Sequence, residues 1–161
     1  MDASACREHI EQLLTQETNE LARLQTLLDR EHELILANNI EELDRAGDVR
    51  QACVGELARI EDERRSLCRM HNLPADAMGL ERMMKWCDPS RSLQRLWSDC
   101  AERATACRAA NDRNGALVTA RLKKVEGLLD VLTGRANQPK VYGRQGGYQS
   151  SGIAPRVLVT V

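Results

Sequence analysis

The sequence contains no phenylalanine and few other aromatic residues, with two tryptophans and two tyrosines among 161 residues. Any hydrophobic core must therefore be built from aliphatic side chains. Leucine, alanine, glutamate and arginine are abundant before Gly134, whereas β-branched residues are scarce there. This composition favours helices over sheets, and a chain of this length fits one domain with a modest core. We predict an all-α protein.

Long apolar runs and targeting signals are also missing. No run approaches the roughly 20 apolar residues that a membrane-spanning helix needs. The first four residues have neither the basic flank nor the apolar stretch of a secretory signal. The six cysteines form no Cys-x-x-Cys pair and lie within helical patterns, which is typical of reduced core thiols. These features predict a cytoplasmic protein with no stable membrane insertion.

Patterns that would indicate catalysis are few. No Walker loop, dinucleotide-binding fingerprint or Ser-His-Asp elbow occurs. Cys-x-x-His pairs begin at Cys6 and Cys68 and leave a zinc site open as an alternative to core thiols and surface histidines. Asp29-x-x-His32 matches only half of a di-iron motif, which needs inward carboxylate and histidine ligands from several helices. We predict a protein that is not an enzyme and has no cofactor. A metal-dependent bundle enzyme is kept as an alternative.

The net charge of −1 conceals an asymmetry. Residues 135–161 carry four basic residues and no acidic one, so this segment is +4 and the rest of the chain is −5. Such a charge is too small to indicate nucleic-acid binding. The same segment is rich in glycine, serine, glutamine and proline, and we predict a flexible C-terminal tail over 135–161. Its last residues, 157–161, are β-prone and leave open an addition to the sheet edge of a partner.

Helical spacing of apolar residues predicts a first long helix over about residues 3–37. Asn39, with Glu42 three residues later, forms a capping-box pattern that begins a second long helix, which ends near His71. Two helices of similar length joined by so short a turn must form an antiparallel hairpin.

A short helix is predicted over 78–86, and the segment 88–90 should end it and cap a third long helix. Together these elements predict an antiparallel, coiled-coil-like bundle of three long helices plus one short helix. We assign this bundle to a domain of residues 1–134.

The third long helix carries one heptad-spaced stripe from Leu93 to Leu132 and stops near Gly134. Two amides, Asn111 and Asn114, interrupt the stripe. They could fix the helix register, because a misaligned amide loses its hydrogen bonds. Alternatively, with Gly115, they could form a hinge where packing within the bundle ends and packing against a partner begins.

Beyond Gly115 the third helix has more apolar residues than a helix pair needs, namely ten of the seventeen over 116–132. An apolar strip of this size indicates an interaction site, unless the bundle buries it completely. The sequence is compatible with both an interaction site and complete burial. The candidate partner-binding residues are Val118, Leu122, Val125, Leu128, Leu129 and Leu132.

Two motifs flank this leucine-rich stretch, Asn-x-x-Asn-Gly at 111–115 and Tyr-Gly-x-x-Gly at 142–146. In their order and spacing the chain resembles the FlgN family of flagellar export chaperones. The resemblance implies a cytoplasmic helical bundle without catalytic activity that binds hook-associated proteins and presents them to the type III export apparatus. It also implies that the client-binding segment is about 115–134 and that Tyr142 docks on the export-gate protein.

The tail departs from the family pattern because it is longer and has a second tyrosine segment at 147–149. A function of another class also fits the leucine-rich stretch. A coiled-coil oligomerisation or scaffold protein would use the same residues for self-association, with no role in export.

Overall fold

The structure is a computed structural model that describes residues 2–134. Over these residues it contains four helices and no strand: α1 Ala3–Leu36, α2 Ile40–Met70, α3 Ala77–Cys87 and α4 Ser92–Leu132. The prediction of an all-α fold with three long helices and one short helix is confirmed. Among these four helices, none combines the length and the apolar character that crossing a membrane requires. The predicted tail, including Tyr142, lies outside the described residues.

Side-chain oxygens cap the helices at their N-termini. Asn39 Oδ1 accepts the N–H of Glu42 at 3.2 Å, as the capping-box pattern predicts for the start of α2. The residue before α4, Arg91, has a left-handed backbone with φ of 60° and makes no side-chain capping bond. Instead, the carboxylate of Asp88 accepts the N–H of Leu93 at 2.8 Å. The predicted cap of the third long helix therefore acts through Asp88.

Two largely buried ion pairs join α1 to α2 and show the direction of each helix. Arg50 Nε donates to Glu31 Oε1 at 2.9 Å near the turn, and Arg64 donates to Glu17 farther from it. The sequence separation of the partners grows from 19 to 47 between these two pairs. Partners that move apart in sequence with distance from the turn define an antiparallel hairpin.

Helix α4 runs in the same direction as α1. Asn114 Nδ2 donates to the carbonyl of Leu28, and Arg121 Nη2 donates to the carbonyl of Leu36. The two pairs have nearly the same sequence separation, 86 and 85 residues. Helix α2 is therefore antiparallel to α1, and α4 is parallel to α1. The reason is that α2 brings the chain back to the end of the bundle where α1 begins, and α3 packs at that end before α4 starts.

The core consists of two clusters of buried side chains. One, which includes Leu80 and Met83, lies where α3 packs on the long helices, and the other, which includes Leu24, lies farther along α1. All six cysteines are buried and free, as predicted for core thiols. Burial raises the pKa of Cys6 and of Cys100 to about 12, so both thiols stay protonated at neutral pH.

Candidate protein-binding surface

Helix α4 extends past the end of α1. Arg121 is hydrogen-bonded to Leu36, the last residue of α1, and α4 continues to Leu132. Because the two helices are parallel and in constant register, residues 122–132 lie beyond the last turn of α1. We call residues 122–132 the overhang. Helix α4, with 41 residues against 34 in α1 and 31 in α2, therefore ends in a protruding segment.

The apolar side chains of the overhang are exposed. Their exposed fraction runs from 47% at Leu122 to 80% at Leu132. Single exposed apolar residues are normal on a protein surface, but a contiguous group usually marks an interaction site. The exposed group is Leu122, Val125, Leu128, Leu129, Val131 and Leu132. Five of the six predicted binding residues belong to it, Val131 joins them, and Val118 is half-buried beside the bundle.

The exposed side chains form a strip along the helix. At about 100° per residue, Leu122, Val125, Leu129 and Leu132 lie within about 80° of one another on a helical projection, and Val118 continues the strip towards the bundle. A strip of this shape can receive the apolar face of an amphipathic helix. The geometry therefore fits a helical segment of a partner protein.

The charges of the overhang are balanced. Lys123 and Lys124 carry two positive charges, Glu126 and Asp130 carry two negative charges, and all four residues are exposed. A balanced surface gives little long-range attraction to a partner of either sign. The feature of the overhang that could attract a partner is therefore its apolar surface rather than its charge.

Asn114 is 1% exposed and is tied to α1 by its side chain. Its Nδ2 donates to the carbonyl of Leu28 at 2.8 Å, and its Oδ1 lies 3.2 Å from Nδ1 of His32. Asn111 is half-buried, and α4 remains helical through Gly115. This geometry supports the register alternative for Asn114. Exposure of the large apolar side chains of α4 begins at Leu122 rather than at Gly115.

The histidines that suggested metal sites have other neighbours. His9 pairs with Glu63 at 3.1 Å, and the ring of His71 lies 5.4 Å from the ring of Trp86. Over residues 2–134, no group of three or more histidine, cysteine, aspartate or glutamate side chains is arranged to hold a metal ion. Asp29, from the half di-iron motif, pairs with Arg113 of α4. These side chains therefore link helices to one another.

Sequence reasoning assigned no role to Arg121, although it occupies a stripe position. Its guanidinium donates to the carbonyl of Leu36 and to Oδ1 of Asn38, both at 3.1 Å. The available signal was a charged residue at a position where the heptad pattern expects an apolar one. Its partners could not be identified without the register of α1 against α4.

The chain was compared with known proteins, solved structures and protein families. Among curated proteins and among solved structures, no match to the chain was found. The family model described as FlgN protein matches residues 6–150, which include the four helices from Cys6 onwards and Tyr142 in the tail. This match covers most of the chain, and the chain therefore belongs to the FlgN family of flagellar export chaperones.

Proposed function

We propose that this protein is a cytoplasmic chaperone that binds hook-associated proteins through the overhang and delivers them to the flagellar export gate. The observation that carries the proposal is the exposure of the apolar strip, with Val125 and Leu129 each 53% exposed. Family membership supplies the general role of export chaperone. No catalytic step is needed, because the function is to cover an apolar segment and release it.

The physical mechanism is reversible burial of apolar surface. An amphipathic client helix that covers five side chains of the strip gains roughly 1.5 kcal/mol from each before costs. Ordering the client and losing translational freedom remove several kcal/mol of that gain. The expected complex is therefore tight enough to protect an aggregation-prone segment and weak enough to release it at the gate.

The test places a charge at two positions of the strip. We expect Leu122→Asp with Leu129→Asp to abolish co-purification of hook-associated proteins, because a carboxylate buried against an apolar client is strongly unfavourable. Both side chains are exposed in the free protein, at 47% and 53%, so helix content and the urea unfolding midpoint should not change. The matched control is Val49→Asp with Met78→Asp, since these side chains are exposed on α2 and α3.

Capture of clients by the strip variant at the level of the unchanged protein would contradict the proposal. The scaffold alternative is separated by light scattering on the protein without client. Under that alternative, the unchanged protein forms an oligomer that the strip variant dissolves, and neither protein captures hook-associated proteins.

We propose that Tyr142 docks on the export-gate protein, and its place in the Tyr-Gly-x-x-Gly motif supports this role. We expect Tyr142→Ala to weaken binding to the export-gate protein and to leave client capture intact, because the motif and the overhang are separate segments. Tyr148→Ala is the matched control, since it removes the other tyrosine of the tail. Equal loss of client capture and gate binding in Tyr142→Ala would show that the two roles are not separate.

A further inference from the structure

Arg121 connects the base of the overhang to the turn between α1 and α2. Nη2 donates to the carbonyl of Leu36, and Nη1 donates to Oδ1 of Asn38, each at 3.1 Å. The side chain leaves α4 one residue before the overhang begins. A planar guanidinium can hold two acceptors at once, which a lysine ammonium on its flexible chain does less well. We call this pair of hydrogen bonds the Arg121 clasp.

The clasp supplies a hydrogen-bond donor for the last carbonyl group of α1, that of Leu36. The carbonyls of residues 33–35 accept N–H groups from residues 37–39 in the turn, and the carbonyl of Leu36 accepts from Arg121. Helix α1 has no basic residue in its last turn. A cation at a helix C-terminus is favourable because it faces the negative end of the helix dipole. Arg121 therefore supplies from α4 the positive charge that α1 itself lacks.

The overhang has little else to keep it ordered. It lies beyond α1, and helices of about this length are marginal in water unless tertiary contacts stabilise them. Gly127, near its centre, lowers helix stability further, and a Cβ placed there would have no atom within 4 Å. Its helical state must therefore depend on propagation from the preceding turn of α4, which is the turn that Arg121 holds.

We propose that Arg121 is a positioning residue for the client-binding strip. The clasp keeps the base of the overhang helical and fixed against the hairpin, so that the strip is preformed before a client arrives. Preordering a binding segment improves affinity by reducing the conformational entropy lost on binding. The client part of this inference rests on the proposed function, whereas the ordering part concerns the free protein alone.

The experiment measures backbone hydrogen exchange of the full chain without client. We expect Arg121→Ala to speed exchange over residues 118–132 by about fivefold, the effect of losing hydrogen bonds to a charged group at a partly exposed site. The urea unfolding midpoint should stay unchanged. Lys123→Ala is the matched control, because it removes a neighbouring cation from the opposite side of the helix. Arg121→Lys should fall between the unchanged protein and Arg121→Ala.

A second variant tests the clasp by removing the acceptor at Asn38. Asn38 has φ of 55°, so Asn38→Gly keeps the left-handed turn accessible while removing the acceptor. We expect this variant to speed exchange in the same region, and by less than Arg121→Ala, because the bond to Leu36 remains. If residues 118–132 exchange at the rate of the unchanged protein in both Arg121→Ala and Asn38→Gly, the clasp does not order the overhang and the proposal is wrong.

Measurements of client binding distinguish a positioning role of Arg121 from a direct contact between Arg121 and the client. We expect Arg121→Ala to weaken binding of hook-associated proteins about fivefold, and Gly127→Ala added to it to restore part of the affinity by strengthening the helix. Faster exchange with unchanged affinity would overturn the positioning role. Weakened binding that Gly127→Ala does not restore would indicate a direct contact of Arg121 with the client. If the unchanged protein binds no client, the proposed function fails, while the exchange data still decide the clasp.

Discussion

The side-chain amide of Asn114 donates to the backbone carbonyl of Leu28 at 2.8 Å across the interface of α1 and α4. Buried apolar side chains of α1 and α4, such as Leu28 and Ala110, would tolerate a shift of one helix along the other. The amide does not, because a shifted Asn114 would lose its acceptor in a buried site. This one bond therefore helps to set how far α4 extends past α1, and hence the length of the overhang.

Removing that amide should destabilise the fold. We expect Asn114→Ala to lower the free energy of unfolding by about 1–3 kcal/mol, from the lost hydrogen bonds and the cavity left behind. Urea unfolding followed by circular dichroism measures the change. Asn111→Ala is the control, and because Asn111 is half-buried the loss should be under about 1 kcal/mol. Equal losses in the two variants would contradict the role given to Asn114.

The ion pair between Glu31 and Arg50 is almost buried, with side chains 4% and 13% exposed. We expect Arg50→Met to cost about 3 kcal/mol, because it leaves the Glu31 carboxylate without its cation, and Glu31→Leu with Arg50→Met to recover much of that loss. Arg45→Met serves as control, since Arg45 pairs with exposed glutamates, and should cost under about 0.5 kcal/mol. Chemical denaturation provides the values. A double variant no better than Arg50→Met would contradict the prediction.

Gly79 packs against the chain just before α3. A Cβ at this position would lie 1.8 Å from the carbonyl oxygen of Pro74, so the backbone must move to accept any side chain. We expect Gly79→Ala to destabilise the protein by about 1–3 kcal/mol. Gly55→Ala is the matched control, because a Cβ at Gly55 has no atom within 4 Å and the position is inside α2. Thermal unfolding should show Gly55→Ala to be stabilising, by up to about 1 kcal/mol.

The carboxylate of Asp88 links stability to acid pH. The hydroxyl of Ser90, and then the N–H of Leu93, hold the pKa of Asp88 below its ordinary value of 3.8. Since the folded pKa is the lower one, the stabilisation is fully present above about pH 4 and is lost as pH falls through the folded value.

We therefore expect Asp88→Asn to be less stable than the unchanged protein from pH 7 to about pH 5, and the difference to shrink at lower pH. Urea unfolding at pH 7, 5 and 3 measures it. A difference that stays constant down to pH 3 would show that ionisation of Asp88 does not stabilise the fold.

Local patterns in the sequence identified the helices and several of their ends. The apolar spacing of α1 and the cap at Asn39 both act over a few residues, so they can be read without knowledge of the fold. The point where α4 leaves the bundle could not be read in this way. It depends on the register of α4 against α1, which the short-range pattern does not encode.

What the sequence determined by itself is that the end of α4 is helical and too apolar for a simple helix pair. Only the tertiary structure decided which part of this stretch is exposed, leaving Val118 half-buried and Leu122 outside the bundle. That boundary follows from where α1 ends alongside α4, at the contact of Leu36 with Arg121. The physical reason is that burial depends on long-range packing register, whereas helix formation depends on neighbours three and four residues away.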